Sequence, residues 1–247
     1  MIPKIIHYCW FGHNPLPPLA IKCIESWKKY LPDYEIRRWD ENNFDVNIIA
    51  YTREAYRLKK YAFVSDFARF WILYHYGGLY FDTDVEVIRP LDDIIERGPF
   101  MGFEAIKEGV TVAPGLGLGC NPGLGLGCNP GLGLYKKVLD KYEKRHYVSW
   151  TGRYTGNIVE FVSQILYQET KEVLCDNIIR YGEIFVYPTD YFCPLNYCTN
   201  ELNITKNTRS IHHYHACWCD KNVTVLFRIK RRVSFFVVRL LSFLSFK

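Results

Sequence analysis

The sequence lacks the features that mark several common classes of protein. Its one uncharged stretch longer than about 18 residues, 109–135, is rich in glycine and proline, so no convincing membrane-spanning helix is predicted. The first residues, MIPKIIHYCWFG, hold one lysine before a strand-like run and no small-residue cleavage site, and this pattern does not predict a signal peptide. The nine cysteines are scattered, and Cys217 and Cys219 are too close together for an ordinary zinc pair. These absences favour free thiols in a reducing compartment over a disulfide framework.

The body of the chain also lacks an excess of positive charge. The 247 residues carry a formal net charge of +5, but six lysine and arginine side chains lie in the last 20 residues, and the remainder is close to neutral. The basic balance therefore gives no indication that the body binds nucleic acid. Aromatic residues, in contrast, are abundant at 17%, and they fit either a tyrosine-rich core or a cleft that stacks against rings or sugars.

The order of predicted elements indicates an α/β fold. Residues 4–10 form an apolar run with β-branched residues, which predicts a buried first strand. A helix with an apolar face follows at 19–30, then an alternating strand at 34–39 and a polar helix at 48–59. This alternation predicts a mainly parallel sheet flanked by helices. Further elements are predicted along the chain, with helices at 62–76, 134–145 and 156–170 and strands at 79–81, 85–88, 100–104, 184–187 and 210–218.

The stretch Val64–Glu86, VSDFARFWILYHYGGLYFDTDVE, combines an apolar helix with a short acidic strand end. The helix is predicted to end at Gly77–Gly78, because glycine favours the C-terminal cap of a helix. The strand at 79–81 then leads directly into Asp82 and Asp84. Residues two apart in an extended segment point to the same side, so the two carboxylates would converge beyond the strand. Two hard oxygen donors suit Mg²⁺ or Mn²⁺, and such an ion would offset the charge on a leaving diphosphate.

Several other polar and aromatic residues fit a functional or a structural role. Asp66 and Arg69 lie three residues apart on one helix face. They could form an ion pair within the helix, or they could bind the donor, with Asp66 accepting hydrogen bonds from sugar hydroxyls. Trp10 ends the first strand and could stack on a base or pack in the core. A final cluster could complete a metal shell, although alternating histidines on a strand are more often structural. It comprises His212, His213, His215 and Trp218.

Two segments depart from this pattern. The residues PGLGLGCN at 114–121 recur unchanged at 122–129, and a third copy starts at Pro130. The unit is too short for a solenoid repeat, its glycine content predicts a flexible surface loop, and it lacks the Walker pattern. Residues 226–247 place arginine and serine on one helical arc and apolar residues on the other. This arrangement predicts either a helix that lies in a membrane interface or a C-terminal helix packed on the domain.

Three segments together resemble the DXD-containing glycosyltransferase family 32. They are IHYCWFG near the N terminus, the long middle stretch Val64–Glu86, and SIHHYHACW near the end, and the resemblance extends from residue 1 to about residue 220. The middle segment is the most specific of the three. The resemblance implies a GT-A fold, a nucleotide-sugar donor, Mn²⁺ or Mg²⁺ as cofactor, and retention of the anomeric configuration. Cys217 departs from the serine that this family often has before its last tryptophan.

The resemblance implies a set of donor-binding residues. Trp10 would stack on the nucleotide base, and Trp218 would touch the β-phosphate. Asp66 and Arg69 would hold the donor sugar and its phosphate side, and Gly78 would belong to the same donor site.

The resemblance also implies a metal site and a catalytic set. Asp82 would contact both the ribose and the metal, and Asp84 would bind the metal directly. His213 would be a further metal ligand. Arg69 would act with Asp82 and Asp84 in catalysis by stabilising the leaving diphosphate.

The sequence thus predicts a glycosyltransferase, and one alternative function remains open. Residues 1–225 are expected to form a GT-A glycosyltransferase domain, and residues 226–247 a basic amphipathic helix that associates with the inner membrane. The enzyme would be cytoplasmic and peripheral to the membrane. It would move a hexose from a nucleotide sugar to a hydroxyl of a glycan or lipid-linked glycan of the cell surface, such as a capsule, lipopolysaccharide or exopolysaccharide. The alternative is a catalytically inactive glycan- or membrane-associated binding protein with the same fold.

Overall fold

Strands and helices alternate through most of the protein. A computed structural model describes residues 2–106, 109–112, 118–120, 130–148, 158–170, 177–196 and 199–215. Two predicted features, Trp218 and the helix at 226–247, lie outside the described residues. Among the helices within these ranges, none is long and apolar enough to cross a bilayer.

The first part of the chain follows the predicted order closely. Its elements are β1 (Ile5–Cys9), α1 (Pro18–Tyr30), β2 (Glu35–Trp39), α2 (Ala50–Arg57), α3 (Tyr61–Tyr76), β3 (Gly78–Tyr80), β4 (Val85–Val87) and α4 (Asp92–Arg97). The second part adds shorter strands between the helices. Its elements are β5 (Phe100–Ile106), β6 (Gly109–Val112), β7 (Leu118–Cys120), α5 (Pro130–Glu143), α6 (Ile158–Thr170), β8 (Ile179–Tyr181), β9 (Ile184–Tyr187), α7 (Thr189–Phe192) and β10 (Ser210–His212).

The central sheet has the order β2-β1-β3-β7-β5-β9-β8, with β6 paired to β5. Strand β1 is parallel to both of its neighbours, and its residue His7 pairs with Arg37 of β2 and with Tyr80 of β3. Strands β5 and β9 are also parallel, whereas β7 is antiparallel to β3 and β5, and β8 is antiparallel to β9. The predicted α/β fold, with parallel strands flanked by helices, is therefore confirmed, and the antiparallel pairs were not predicted.

Two apolar cores cover the two faces of the sheet, as the alternation of side chains along its strands requires. On β1 and β3, Ile6, Tyr8 and Leu79 join the core that contains α1 and α4. Cys9 and Tyr80 join the core that contains α2, α3, α5 and α6. Many of the largest fully buried side chains are tyrosine or phenylalanine, so aromatic residues build much of both cores.

The glycine-rich repeat is the main correction to the predicted fold. Residues 118–120 of its first copy form β7 between β3 and β5, where a flexible surface loop was expected. An antiparallel ladder needs only backbone N–H and C=O groups, so a glycine-rich segment can supply it. Helix α5 begins at Pro130, in the third copy, four residues earlier than predicted, because proline is compatible with the first position of a helix. Residues 113–117 and 121–129 lie outside the described ranges.

The junction between α3 and β3 is fixed by the buried side chain of His7. Helix α3 ends at Gly77, whose φ of 64° lies in the left-handed region, and Gly78 follows with φ 94°. A Cβ on Gly78 would lie 2.6 Å from the Ile5 carbonyl oxygen. His7 bonds the Gly77 carbonyl through Nε2 at 3.0 Å and accepts a hydrogen bond from Trp39 Nε1 on Nδ1, also at 3.0 Å. This contact sets the direction in which β3 leaves the helix.

Candidate active site

The carboxyl ends of β1 and β3 meet at one edge of the sheet, because the two strands are parallel. Trp10 directly follows β1, and Asp82 lies two residues beyond the end of β3. Trp10 is half-buried, and its Nε1–H donates to the Asn14 carbonyl oxygen at 2.7 Å. The fold therefore brings the predicted base-stacking residue to the same edge as the first aspartate.

Arg69 joins the helix to the strand end. From α3 its Nη2 lies 3.0 Å from Asp66 Oδ1, and its Nη1 donates to Asp82 Oδ2 at 3.1 Å. Only 6% of the Arg69 side chain is exposed, so this cation is held between two carboxylates with little solvent. Its guanidinium also lies over the Tyr80 ring, 4.9 Å from the centroid. The predicted pairing of Asp66 with Arg69 is present, and it extends to Asp82.

Burial and charge oppose each other at Asp66. Burial raises the pKa of Asp66 to about 7, the charge of Arg69 lowers it, and the nearby Asp82 carboxylate raises it further. A carboxyl with this pKa changes protonation near neutral pH, and it lies three residues before the cation that holds Asp82.

Asp82 is oriented through both of its oxygens. Oδ2 accepts from Arg69, and Oδ1 accepts from the Tyr80 hydroxyl at 3.1 Å. Tyr80 was not predicted as a site residue, although its position two residues before Asp82 on an extended segment could have indicated it.

Asp84 is held by the segment that follows β10. Strand β10 pairs antiparallel with β4, and the register matches His212 with Val85. This pairing brings the His215 backbone N–H to Asp84 Oδ2 at 2.9 Å, and His212 Nε2 to Asp84 Oδ1 at 3.3 Å. Burial disfavours the charged carboxylate, but the charge and hydrogen bond of His212 and the His215 amide hold the pKa of Asp84 well below its usual range. The sequence correctly placed the histidine segment beside the aspartate pair.

The two adjacent histidines of this segment make different contacts. His212 faces Asp84, whereas His213 Nε2 lies 2.8 Å from Glu86 Oε2, which also accepts from Lys22 Nζ at 2.9 Å. Neighbouring residues of an extended segment point to opposite sides, which explains the separation. The His213 backbone N–H bonds the Asp84 carbonyl at 3.0 Å, but the side chain of this predicted ligand is directed to Glu86, and the His212 side chain contacts Asp84 instead.

Gly78 also lies apart from the other predicted donor-binding residues. It begins β3, and four residues of extended chain separate it from Asp82 by roughly 13 Å. At that position it packs against β1.

Comparison with known proteins places this geometry in a family. Residues 17–101, which contain Arg69 and both aspartates, match the family described as "Glycosyltransferase sugar-binding region containing DXD motif". The match covers 85 of the 247 residues of the chain. This match supports the predicted family of DXD-containing glycosyltransferases, and the α/β architecture agrees with the predicted fold class.

Similarity to individual proteins covers part of each chain. "Inositol phosphoceramide mannosyltransferase 1" of Schizosaccharomyces pombe is 30% identical over 111 residues, which are 40% of this chain and 33% of that protein. A glycosyltransferase of Acanthamoeba polyphaga mimivirus is 32% identical over 121 residues, 45% of this chain and 47% of the relative. The chain thus spans between a third and a half of these curated relatives. The solved structure "PaToxG Glycosyltransferase" is 19% identical to this chain with a TM-score of 0.47. The superposition covers 69% of this chain and 70% of the PaToxG chain.

The aspartate pair of this glycosyltransferase region fits a hard divalent cation. The Asp82 and Asp84 side chains are 27% and 18% exposed, so they are accessible from outside. Each carboxylate oxygen has two lone pairs and accepts the hydrogen bonds described above, which leaves acceptor capacity for an ion. Oxygen donors of this kind suit Mg²⁺ and Mn²⁺.

Proposed function

We propose that this chain is a metal-dependent, retaining glycosyltransferase that transfers a hexose from a nucleotide sugar to a hydroxyl of a cell-surface glycan. One observation carries the proposal: Arg69 is paired with Asp82 at the carboxyl edge of β3, and Asp84 follows two residues later, within the segment that matches the DXD family. A strand end that is otherwise apolar has no packing reason to present two carboxylates and a buried cation.

The donor would bind across the edge formed by β1 and β3. Trp10 would stack on the base, Asp82 would contact the ribose, and Asp66 would accept hydrogen bonds from the sugar hydroxyls. Gly78 and Trp218 are the remaining candidates for the donor site, and we propose a contact of Trp218 with the β-phosphate.

The reaction would be assisted mainly by fixed charge. Asp82 and Asp84 would hold the divalent ion, which when bound would offset the charge that develops on the leaving diphosphate. Arg69 is already oriented by two carboxylates, so it would need little reorganisation to stabilise the same charge. We propose front-face displacement with retention, in which the leaving diphosphate itself helps to remove the proton from the acceptor hydroxyl.

A screen of nucleotide sugars tests the proposal. Donor hydrolysis and transfer are measured with and without Mn²⁺ for the unchanged chain, for Asp84→Asn, and for Asp33→Asn as a control on an exposed aspartate that pairs with Lys4. We expect Asp84→Asn to lose turnover and metal-dependent donor binding, and Asp33→Asn to keep both. Full activity of Asp84→Asn would refute the proposal. Metal-dependent binding of a donor without any turnover would favour the inactive binding protein instead.

The names of the relatives suggest which donors and acceptors to test first. Two of them are mannosyltransferases acting on inositol phosphoceramide by name, so nucleotide-activated mannose and an inositol-phosphate lipid belong in the first panel. Transfer to the lipid but to no glycan would correct the acceptor in our proposal and leave the reaction unchanged.

The third metal ligand is a separate question. His213 would have to leave Glu86 to reach the aspartate pair, whereas His212 already lies 3.3 Å from Asp84. Mn²⁺ affinity of His212→Ala and His213→Ala distinguishes the two residues. If only His212→Ala weakens Mn²⁺ binding, His213 is not a ligand.

We further propose that residues 226–247 bind the cytoplasmic face of the membrane. The sequence pattern would place their arginines and apolar residues on opposite arcs if the segment were helical, and this pattern is typical of interfacial helices. The full chain and a chain lacking residues 226–247 are sedimented with anionic vesicles. Equal binding of both chains would contradict the proposal.

A further inference from the structure

A second group of potential metal ligands lies beside the aspartate pair. Glu104 of β5, Cys193 directly after α7, and His212 at the end of β10 each present one ligand atom, and these atoms lie within 4.8 Å of one another. The three residues come from distant parts of the chain, so their convergence is a product of the fold.

Tyr214 closes this group on one side. Its hydroxyl lies 2.9 Å from Cys193 Sγ, and its ring lies 4.2 Å from the His212 ring, centroid to centroid. The backbone of Tyr214 has φ 50°, in the left-handed region that residues with a side chain seldom adopt. Such strain persists only where the surroundings impose it, and it clusters at functional sites.

His212 has one nitrogen committed and one without an ordinary hydrogen bond. Its Nε2 faces Asp84, whereas Nδ1 is buried and makes no hydrogen bond of ordinary geometry with the described residues, and Cys193 is the other side chain that interacts with the ring. A buried nitrogen without a partner is destabilising, unless a ligand or solvent completes it. Cys193 is likewise only 4% exposed, and its other contact, with the Leu195 carbonyl oxygen, is long at 3.9 Å.

We propose that Glu104, Cys193 and His212 form a binding site for a soft divalent cation, of which Zn²⁺ is the fitting example. Sulfur, nitrogen and oxygen ligands together suit Zn²⁺, whereas Mg²⁺ prefers oxygen alone. The set therefore differs in chemistry from the oxygen donors of Asp82 and Asp84. Three protein ligands also leave the fourth position of a tetrahedral ion open.

The distances permit such a site after small side-chain movements. Ligand bonds of about 2.0–2.3 Å place two ligands of a tetrahedral ion roughly 3.5 Å apart. The ligand atoms, at up to 4.8 Å, would need to close by about 1 Å, which side-chain rotation can supply. On binding, the Cys193 thiol gives its proton to solvent and the sulfur forms the metal bond as thiolate. The Tyr214 hydroxyl can then donate to that sulfur and support it from outside the ligand shell.

Cobalt titration tests the site, because Co²⁺ substitutes for Zn²⁺ and its bond to a thiolate absorbs in the near ultraviolet. The metal-free full chain is titrated with Co²⁺ under reducing conditions, beside Cys193→Ala and Cys23→Ala. Cys23 is a fully buried thiol in the α1 core and serves as the matched control. We expect a saturable band at one equivalent that survives in Cys23→Ala and is lost in Cys193→Ala. Absence of the band in the unchanged chain, or its full persistence in Cys193→Ala, overturns the proposal.

Two milder variants keep the test decisive if Cys193→Ala does not fold. Glu104→Gln retains the shape of the side chain, and we expect its Co²⁺ affinity to fall at least tenfold. Tyr214→Phe removes only the hydroxyl, for which we expect about 10-fold to 100-fold weaker binding. Unchanged affinity in Glu104→Gln refutes the site. Asp84→Asn should keep the band, and because the readout is binding, the result stands whether or not the chain transfers sugar.

Discussion

The buried His7 makes a quantitative prediction about stability against pH. Its side chain is fully buried, and burial lowers its pKa to about 4 from an ordinary value of 6.5, despite the opposing hydrogen bond with the Gly77 carbonyl. In the folded protein the imidazole is therefore neutral, with Nε2–H donating to Gly77 and Nδ1 accepting from Trp39. Protonation would place a second N–H against the Trp39 donor.

The sign of the effect follows from linkage. Because the folded pKa is lower than the unfolded one, the unfolded chain takes up a proton first as the pH falls. The contribution of His7 is complete above pH 6.5 and is lost between pH 6.5 and about pH 4. One pKa unit corresponds to about 1.4 kcal/mol, so the full loss is about 3 kcal/mol, and about 2 kcal/mol is lost by pH ~5.

Urea unfolding followed by tryptophan fluorescence measures this loss. The matched variant is His7→Gln, which carries one acceptor and one donor but does not titrate. We expect the unchanged chain to lose about 2 kcal/mol more stability than His7→Gln between about pH 7.5 and pH 5. Equal pH dependence of the two chains, or a His7 resonance in NMR that titrates near its ordinary pKa of 6.5, would refute the reasoning.

Three further substitutions test other parts of the site. Gly78→Ala should lower the free energy of unfolding, measured with urea, more than Gly98→Ala does. Both glycines have a positive φ, which costs a residue with a side chain about 1–3 kcal/mol. Only at Gly78 would the added Cβ also clash with a backbone oxygen, 2.6 Å away. Equal losses would mean that the clash is relieved. Tyr80→Phe should lower kcat/KM about tenfold in the transfer assay with little loss of stability, since it removes one hydrogen bond to a charged acceptor. Unchanged kcat/KM would show that this bond is unimportant. Arg69→Lys should lower the unfolding free energy by about 3 kcal/mol, because the buried cation would lose one of its two carboxylate partners, whereas Arg38→Lys at a half-exposed pair should change it by less than about 1 kcal/mol.

Much of the site was predictable because its signals are local. The spacing of Asp66 and Arg69 on a helix, the glycine stop after α3 and the alternation of Asp82 with Asp84 are all short-range patterns. The parallel pairing of β1 and β3 then follows from the alternation of strands and helices, and it places Trp10 at the right edge.

The contacts that were missed depend on register and distant pairing. Which of His212 and His213 faces Asp84 is set by the pairing of β10 with β4, and a shift of one residue would exchange them. The contact of Glu104 with Cys193 and His212 joins three elements far apart in sequence, and no local pattern marks it. The strand β7 escaped prediction because its residues are glycine-rich and have little intrinsic preference for a strand.

Strand β7 lies within a duplicated sequence, so the residues that form it occur twice in the chain. Leu118–Cys120 recurs as the identical residues 126–128, eight positions later. A slip of one repeat unit would present the same backbone and side chains to β3 and β5, and would change only the lengths of the flanking connections. The slip would lengthen the connection from β6 from 5 to 13 residues and shorten the connection to α5 from 9 residues to one, and short connections depart strongly from the slow dependence of closure entropy on length. The lengths of the flanking connections therefore select which copy forms β7, and a chain without residues 122–129 keeps every residue that β7 contributes.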